Sequence, residues 1–308
     1  MDAATNPFTP GAGTPPPELA GREAILETAS IAVRRLQAGR PSRSMFLLGL
    51  RGVGKTVLLN RVYHEADDRR LLTVKIEASE SGDFARQIVP ELNRILVRLS
   101  ASAAIRKHLK LAGAALQNFA SIFRVSYEGI SFGAQPAGGV AGTRDYATDL
   151  SEVIRAVLTA ARAAGQQIAF FIDEVQYLRE EELAALVVAC HDAAQRQLPF
   201  LLVGAGLPQL AKLAGDAKSY SERLLEFPEV GPLDDVAARH AIAKPIHDEG
   251  VDITDEALAE ICRSAHNYPY FLQEWGAHTW NEAEQTPISI GDVNAAGDKI
   301  VAHLDRSF

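Results

Sequence analysis

Eight consecutive residues carry the clearest chemistry in the sequence: Gly49, Leu50, Arg51, Gly52, Val53, Gly54, Lys55 and Thr56. Glycine, four residues, glycine, lysine and threonine is the spacing of a loop that cradles phosphates. The glycines let the backbone turn tightly, so that successive amides and a helix start point at phosphate oxygens. Lys55 would add a positive charge at the β- and γ-phosphates of ATP, and the Thr56 hydroxyl would ligate Mg2+. Val57 opens the run 57–63, whose composition suits the helix that must follow such a loop, and the apolar run 45–48 supplies the preceding strand.

A second cluster lies far along the chain. Ile168, Ala169, Phe170, Phe171 and Ile172 form an apolar strand that ends in Asp173 and Glu174. Carboxylates at the C-terminal end of such a strand sit where α/β sheets bind ligands. Asp173 would hold the magnesium shell, because Mg2+ prefers oxygen ligands and sheds water reluctantly. Glu174 would orient and deprotonate an attacking water. Alone, an Asp-Glu pair suits an acid-capped helix start equally well; the upstream phosphate loop is what points this pair to hydrolysis.

Both clusters need a sheet to hold them. Five short apolar runs, 45–48, 72–76, 168–172, 200–203 and 224–230, alternate mostly with helical stretches. That order predicts a mainly parallel five-stranded sheet covered on both faces, a three-layer α/β sandwich. Pro228 interrupts the fifth run and assigns it to an edge. A helix over 18–38 leads into the first strand. The interval between the second and third strands is too long for a simple crossover. It reads as an insertion over about 83–142: helices at 83–99 and 103–119, then a hairpin in which Phe123, Val125 and Tyr127 alternate before Glu128 and Gly129. A further helix covers 146–164. After residue 230 the periodicity becomes helical, with starts at Asp234, Thr254, Tyr268 and Ser289, which predicts a small all-helical lid domain over 231–308. Residues 1–17, rich in proline, glycine and small side chains, are expected to form a mobile tail outside the 18–230 sheet domain.

Composition agrees with a folded chain of this kind. The 308 residues are 47% hydrophobic and 23% charged, within the range of globular proteins. Cys190 and Cys262 lie in apolar, helical surroundings that suit reduced thiols of a cytoplasmic protein. No leader pattern or membrane-length apolar run is present, so no membrane partner is expected. A formal net charge of −8 argues against indiscriminate nucleic-acid binding.

Together these motifs resemble the AAA+ division of P-loop ATPases, in its branch of origin-recognition-complex-like, archaeal-type and STAND-like ATPases. The resemblance runs over about 18–300. It is carried by Leu19-Ala20-Gly21-Arg22-Glu23, the Walker A loop at 49–56, the Walker B end Asp173-Glu174-Val175-Gln176, Tyr220-Ser221-Glu222-Arg223, and Asn267-Tyr268-Pro269-Tyr270. It implies that Gly21, Arg22 and Glu23 lie near adenine and ribose, although Arg22 equally suits an exposed helix start. It also implies that Arg223 is an arginine finger for the γ-phosphate of a neighbouring subunit in a homo-oligomer; a surface ion pair with Glu222 or Glu226 is the other reading. Pro269 matches a lid proline that packs on the base, with Asn267 where glycine is usual. The fourth strand departs from the pattern. Gly204-Ala205-Gly206 offers no polar sensor side chain, and Gln176 or Gln209 are the candidates to replace it. Relatives of this kind often continue into a winged-helix DNA-binding domain, whereas the sequence stops at Phe308.

Other signals carry less. Gly129-Ile130-Ser131-Phe132-Gly133 has the glycine and serine spacing of a hydrolase elbow but precedes a loop rather than a helix. Cys262 and His266 share a helical face without further metal ligands. The segment 86–124 holds Arg86, Arg94, Arg98, Arg106, Lys107, Lys110 and Arg124 against the single acid Glu91, a stripe that suits DNA phosphates or a solvated helix face. The leading expectation is an ATP-hydrolysing enzyme whose nucleotide state controls assembly on DNA or a protein partner. A slow STAND-like switch is the alternative.

Overall fold

The computed structural model describes residues 1–11, 13–82, 84–100, 105–125, 145–217 and 221–307. Its sheet is made of β1 (Ser44–Leu48), β2 (Leu72–Glu77), β3 (Ile168–Asp173), β4 (Phe200–Gly206) and β5 (Leu225–Glu226). All pairings are parallel, in the order β2-β3-β4-β1-β5. The register places Leu48 opposite Gly206, Ile172 opposite Gly204, and Glu77 opposite Asp173. The C-terminal ends of β1, β2, β3 and β4 therefore share one edge.

Strand periodicity explains the layers. Phe46, Val74, Ile76, Phe170, Ile172 and Leu202 share one buried cluster with the apolar faces of α3 (Phe84–Leu99), α4 (Arg106–Ile122), α5 (Tyr146–Ala163) and α6 (Glu180–Arg196). The alternate residues, among them Met45, Leu47, Phe171 and Val203, are equally buried on the other face. There Tyr63 of α2 (Lys55–Asp68) meets Phe171 edge to face, with ring centroids 5.5 Å apart. The Ser30 hydroxyl of α1 (Glu23–Gln37) donates to Glu65 of α2 at 2.7 Å. Burial pushes the Cys190 thiol up to about 12, which keeps it protonated in the core.

The fifth run is shorter than its apolar pattern. β5 ends at Glu226, and the Pro228 carbonyl accepts from Leu48 N–H at 2.9 Å even though proline has no N–H to return. In the insertion, Phe123 is not a strand residue: its N–H donates to Phe119 O and it caps α4. Val125 is not a strand residue either: its N–H donates back to Ala120 O at 2.8 Å, so the chain still follows the end of α4 there. The rest of the expected hairpin, from Tyr127 through Glu128 and Gly129, and the Ser131 string lie outside the described residues. Beyond β4 come α7 (Leu210–Ala217) and the short α8 (Ser221–Leu224).

The chain divides into two compact units. One is Thr28–Leu48 with Leu59–Glu229, which holds the sheet. The other is Met1–Glu27, Gly49–Leu58 and Val230–Phe308. In it α9 (Asp235–Asp248), α10 (Asp255–Ser264), α11 (Pro269–Glu282) and α12 (Ile290–Ser307) surround an apolar core. Their starts are local in origin: Asp234 and Thr254 accept from the third helical N–H, and Pro269 occupies a first-turn position of α11 where its missing N–H is harmless. Residues 1–11 are not a tail. Phe8 is 3% exposed in this core, Asn6 donates to Ala277 O, and the Trp280 indole donates to Asp2 O. Gly276 makes the room, since a Cβ there would stand 2.8 Å from the Phe8 ring.

Candidate functional site

The loop between β1 and α2 is bent by glycine. Gly52 (φ +80°) and Gly54 (φ +92°) occupy backbone conformations that side-chain-bearing residues rarely adopt. Gly49 has no room for a side chain: a Cβ would lie 2.2 Å from the Val230 carbonyl oxygen and 2.8 Å from Val53 Cγ2. Leu58 N–H donates to Gly54 O at 3.0 Å. Lys55, Thr56 and Val57 thus form the first turn of α2, the end where a helix favours anions. Lys55 is 7% exposed as a residue, and its part-buried ammonium donates to Leu50 O within the loop, at 2.8 Å. Leu50 itself is 60% exposed.

Arg22 is not an exposed helix-start charge. It is 7% exposed, and its guanidinium donates to Val53 O at 3.3 Å and to Gly231 O. Burial lowers its pKa and the neighbouring Glu23 opposes that shift. Glu23 accepts from Gly21 N–H at 3.1 Å, which fixes the turn before α1.

Asn267 stands at φ +55°, which explains why it can replace glycine: asparagine tolerates the left-handed region better than most residues. Its side-chain amide donates to Asp235 at 2.6 Å. Beside Pro269, two residues of the same motif to which the sequence assigned no site role grip the loop. The Tyr268 hydroxyl donates to Arg51 O at 2.6 Å, and Tyr270 N–H donates to Gly52 O at 3.1 Å. Burial raises the Tyr268 phenol above its ordinary pKa. The only signal for them was their place around Pro269.

In the sheet unit, Asp173 closes β3 and is buried, its Oδ1 accepting from Glu174 N–H at 2.9 Å. Glu174 adopts φ +51° and leads into a 3-10 turn, Val175–Tyr177. The Gln176 side-chain nitrogen donates to the Glu174 carboxylate, and its oxygen accepts from Leu207 N–H at 3.1 Å. Gln209 is exposed. The two carboxylates and Gln176 therefore meet at the C-terminal sheet edge. Arg223 does not join them. It is exposed on α8, directly before β5, and hence at the opposite edge, a strand length of about 16 Å away. Among the described residues Glu226 pairs with Arg43, at 3.7 Å. The basic side chains of 86–124 are exposed on α3 and α4 and at Arg124, with Arg94 paired to Glu91. Cys262 is buried on α10, whereas His266 lies beyond the end of that helix, exposed and at φ +50°, so the two do not share a helical face. No group of three or more His, Cys, Asp or Glu residues that could hold a metal ion is present among the described residues. No helix of the described residues is long and apolar enough to cross a membrane.

Residues 18–203 match the family model of the AAA ATPase domain. Among solved structures, Cdc6p from Pyrobaculum aerophilum superposes with a TM-score of 0.56 at 14% identity, over 97% of this chain and 71% of that one. The Walker-type ATPase paby2304 of Pyrococcus abyssi gives 0.55 at 18% identity, over 92% and 71%. The ORC2 protein of Aeropyrum pernix, solved as ADPNP-ADP complexes, gives 0.54 at 14%, over 94% and 71%. At these identities the likeness is one of fold. Among curated proteins none matches the chain by sequence.

Proposed function

We propose that this chain, which belongs to the AAA ATPase domain family, binds ATP with magnesium through residues 49–57 and hydrolyses it with Glu174. The observation that carries the reading is the loop itself: two glycines at positive φ deliver the backbone into the first turn of α2 at Lys55. That donor set fits a polyphosphate, since backbone amides, a helix start and a part-buried ammonium all favour anions. A phosphate oxygen would outcompete the neutral Leu50 carbonyl for Lys55, because charge-assisted hydrogen bonds are roughly twice as strong. Thr56 and Asp173 would hold the magnesium. The bound ion would neutralise charge at the β- and γ-phosphates. Glu174 would orient the attacking water and accept its proton.

Arg223, at the edge away from its own chain's carboxylates, serves in this reading as a finger for a neighbouring copy in a homo-oligomer. Pro269, Gly21 and Glu23 would frame the base and ribose, with Arg22 between them bracing the loop backbone at Val53. The grip of Tyr268 and Tyr270 on the loop would let the lid helices register the nucleotide, and so control assembly on DNA or another macromolecule. Buried reduced thiols and ATP dependence suit the cytoplasm.

The test is steady-state ATP hydrolysis over a range of protein concentrations, with and without duplex DNA. Specific activity should rise with concentration. Glu174→Gln should retain ATP while losing turnover by on the order of 10²- to 10⁴-fold, and Arg223→Ala should lose about 10³-fold or more. Wild-type turnover by Glu174→Gln would remove Glu174 as the base. Concentration-independent turnover with a silent Arg223→Ala would remove the shared site and favour a nucleotide switch.

A further inference from the structure

Three observations at the ends of β3 and β4 converge on one side chain. Gln176 sits in the middle of the turn after Walker B, and its two amide atoms make two different bonds: the nitrogen donates to the Glu174 carboxylate, and the oxygen accepts from Leu207 N–H. A primary amide can both donate to a carboxylate and accept from a backbone N–H, which an ionised acid or a lysine cannot do. The strand end is shaped for it. A Cβ at Gly206 would stand 3.0 Å from Gln176 Oε1, whereas the space at Gly204 is taken by the Phe46 ring, 2.2 Å from where a Cβ would be. Gly206, which deprives the end of β4 of a side chain, thus leaves the space that Gln176 enters. Glu174, meanwhile, holds a left-handed backbone conformation that its own residue type does not favour.

We infer that Gln176 is a positioning residue: it ties the Glu174 carboxylate to the end of β4 and so fixes the direction in which that carboxylate meets water. The inference rests on the reading of Glu174 as the hydrolytic base. A glutamate on a turn samples several rotamers, and a misplacement of about 1 Å can cost about 10²-fold in rate. The amide bridge removes that freedom without touching the nucleotide. Its loss should appear in kcat and leave ATP affinity alone.

The experiment measures kcat and the ATP dissociation constant for wild type, Glu174→Gln, Gln176→Ala, Gln176→Glu and Gly206→Ala, with thermal melts to confirm folding. Gln176→Ala should lower kcat by about 10- to 100-fold with the dissociation constant within about twofold. Gln176→Glu keeps an acceptor for Leu207 N–H but sets a second carboxylate against Glu174. The near-isosteric change replaces an attraction at Glu174 by a repulsion, so it should lower kcat as far as Gln176→Ala does, which a packing role would not produce. Gly206→Ala should lower kcat alone but add nothing to Gln176→Ala, since both act through one contact. If Glu174→Gln is inactive while both Gln176 variants keep wild-type kcat, the tether is wrong and the base stands. If Glu174→Gln turns over normally, or the wild type does not turn over, the base reading falls and the tether with it.

Discussion

Replacing Arg22 by alanine separates support of the phosphate loop from contact with the nucleoside. The guanidinium is buried and donates to the backbone carbonyls of Val53, in the loop, and Gly231. Arg22→Ala leaves both carbonyls without that donor, at about 1–3 kcal/mol for each buried group left unpaired. The Val53 bond is long at 3.3 Å and the Gly231 contact is only part-buried, so the lower end applies. Removing the charge also relieves its desolvation. The net is therefore at most about 2 kcal/mol, and if all of it falls on the phosphate-ready loop, binding weakens by up to about 30-fold. Isothermal titration with ATP and with inorganic tripolyphosphate, both with magnesium, reads the effect. Because Arg22 acts here through the loop backbone, both ligands should weaken by the same factor. Loss confined to ATP would instead place Arg22 on adenine or ribose, and unchanged affinity for both would refute the loop-support argument.

Two further substitutions test the helical unit. Phe8→Ala should lower the urea midpoint, since emptying a buried phenylalanine site costs about 3–5 kcal/mol, capped here by the free energy that docks the first eleven residues; an unchanged midpoint would mean that this segment contributes nothing. Asn267→Ala should be less stable than Asn267→Gly by about 1 kcal/mol in thermal or chemical unfolding, because both lose the Asp235 bond and only alanine is strained at φ +55°. Equal stabilities would show that the left-handed turn before α11 is not under strain.

What could be read along the chain was whatever neighbours in sequence decide. The Walker A loop, the apolar strand ending in Asp173 and Glu174, and the helix starts at Asp234 and Thr254 depend on glycine turns, strand-length apolar runs and N-terminal caps, all within a few residues. The fold class followed from the alternation of such elements. Tertiary structure alone decided what depends on distant partners. A proline- and glycine-rich opening gave no sign that Phe8 would fill the space over Gly276. Nothing near Arg22 announced that it would bond Val53 and Gly231, and nothing in the spacing chose Gln176 over Gln209 as the polar group at the end of β4. Periodicity marks which face of an element is buried. Which atoms wait there depends on residues brought together from tens or hundreds of positions away, by burial and by the need of each buried polar group for a partner.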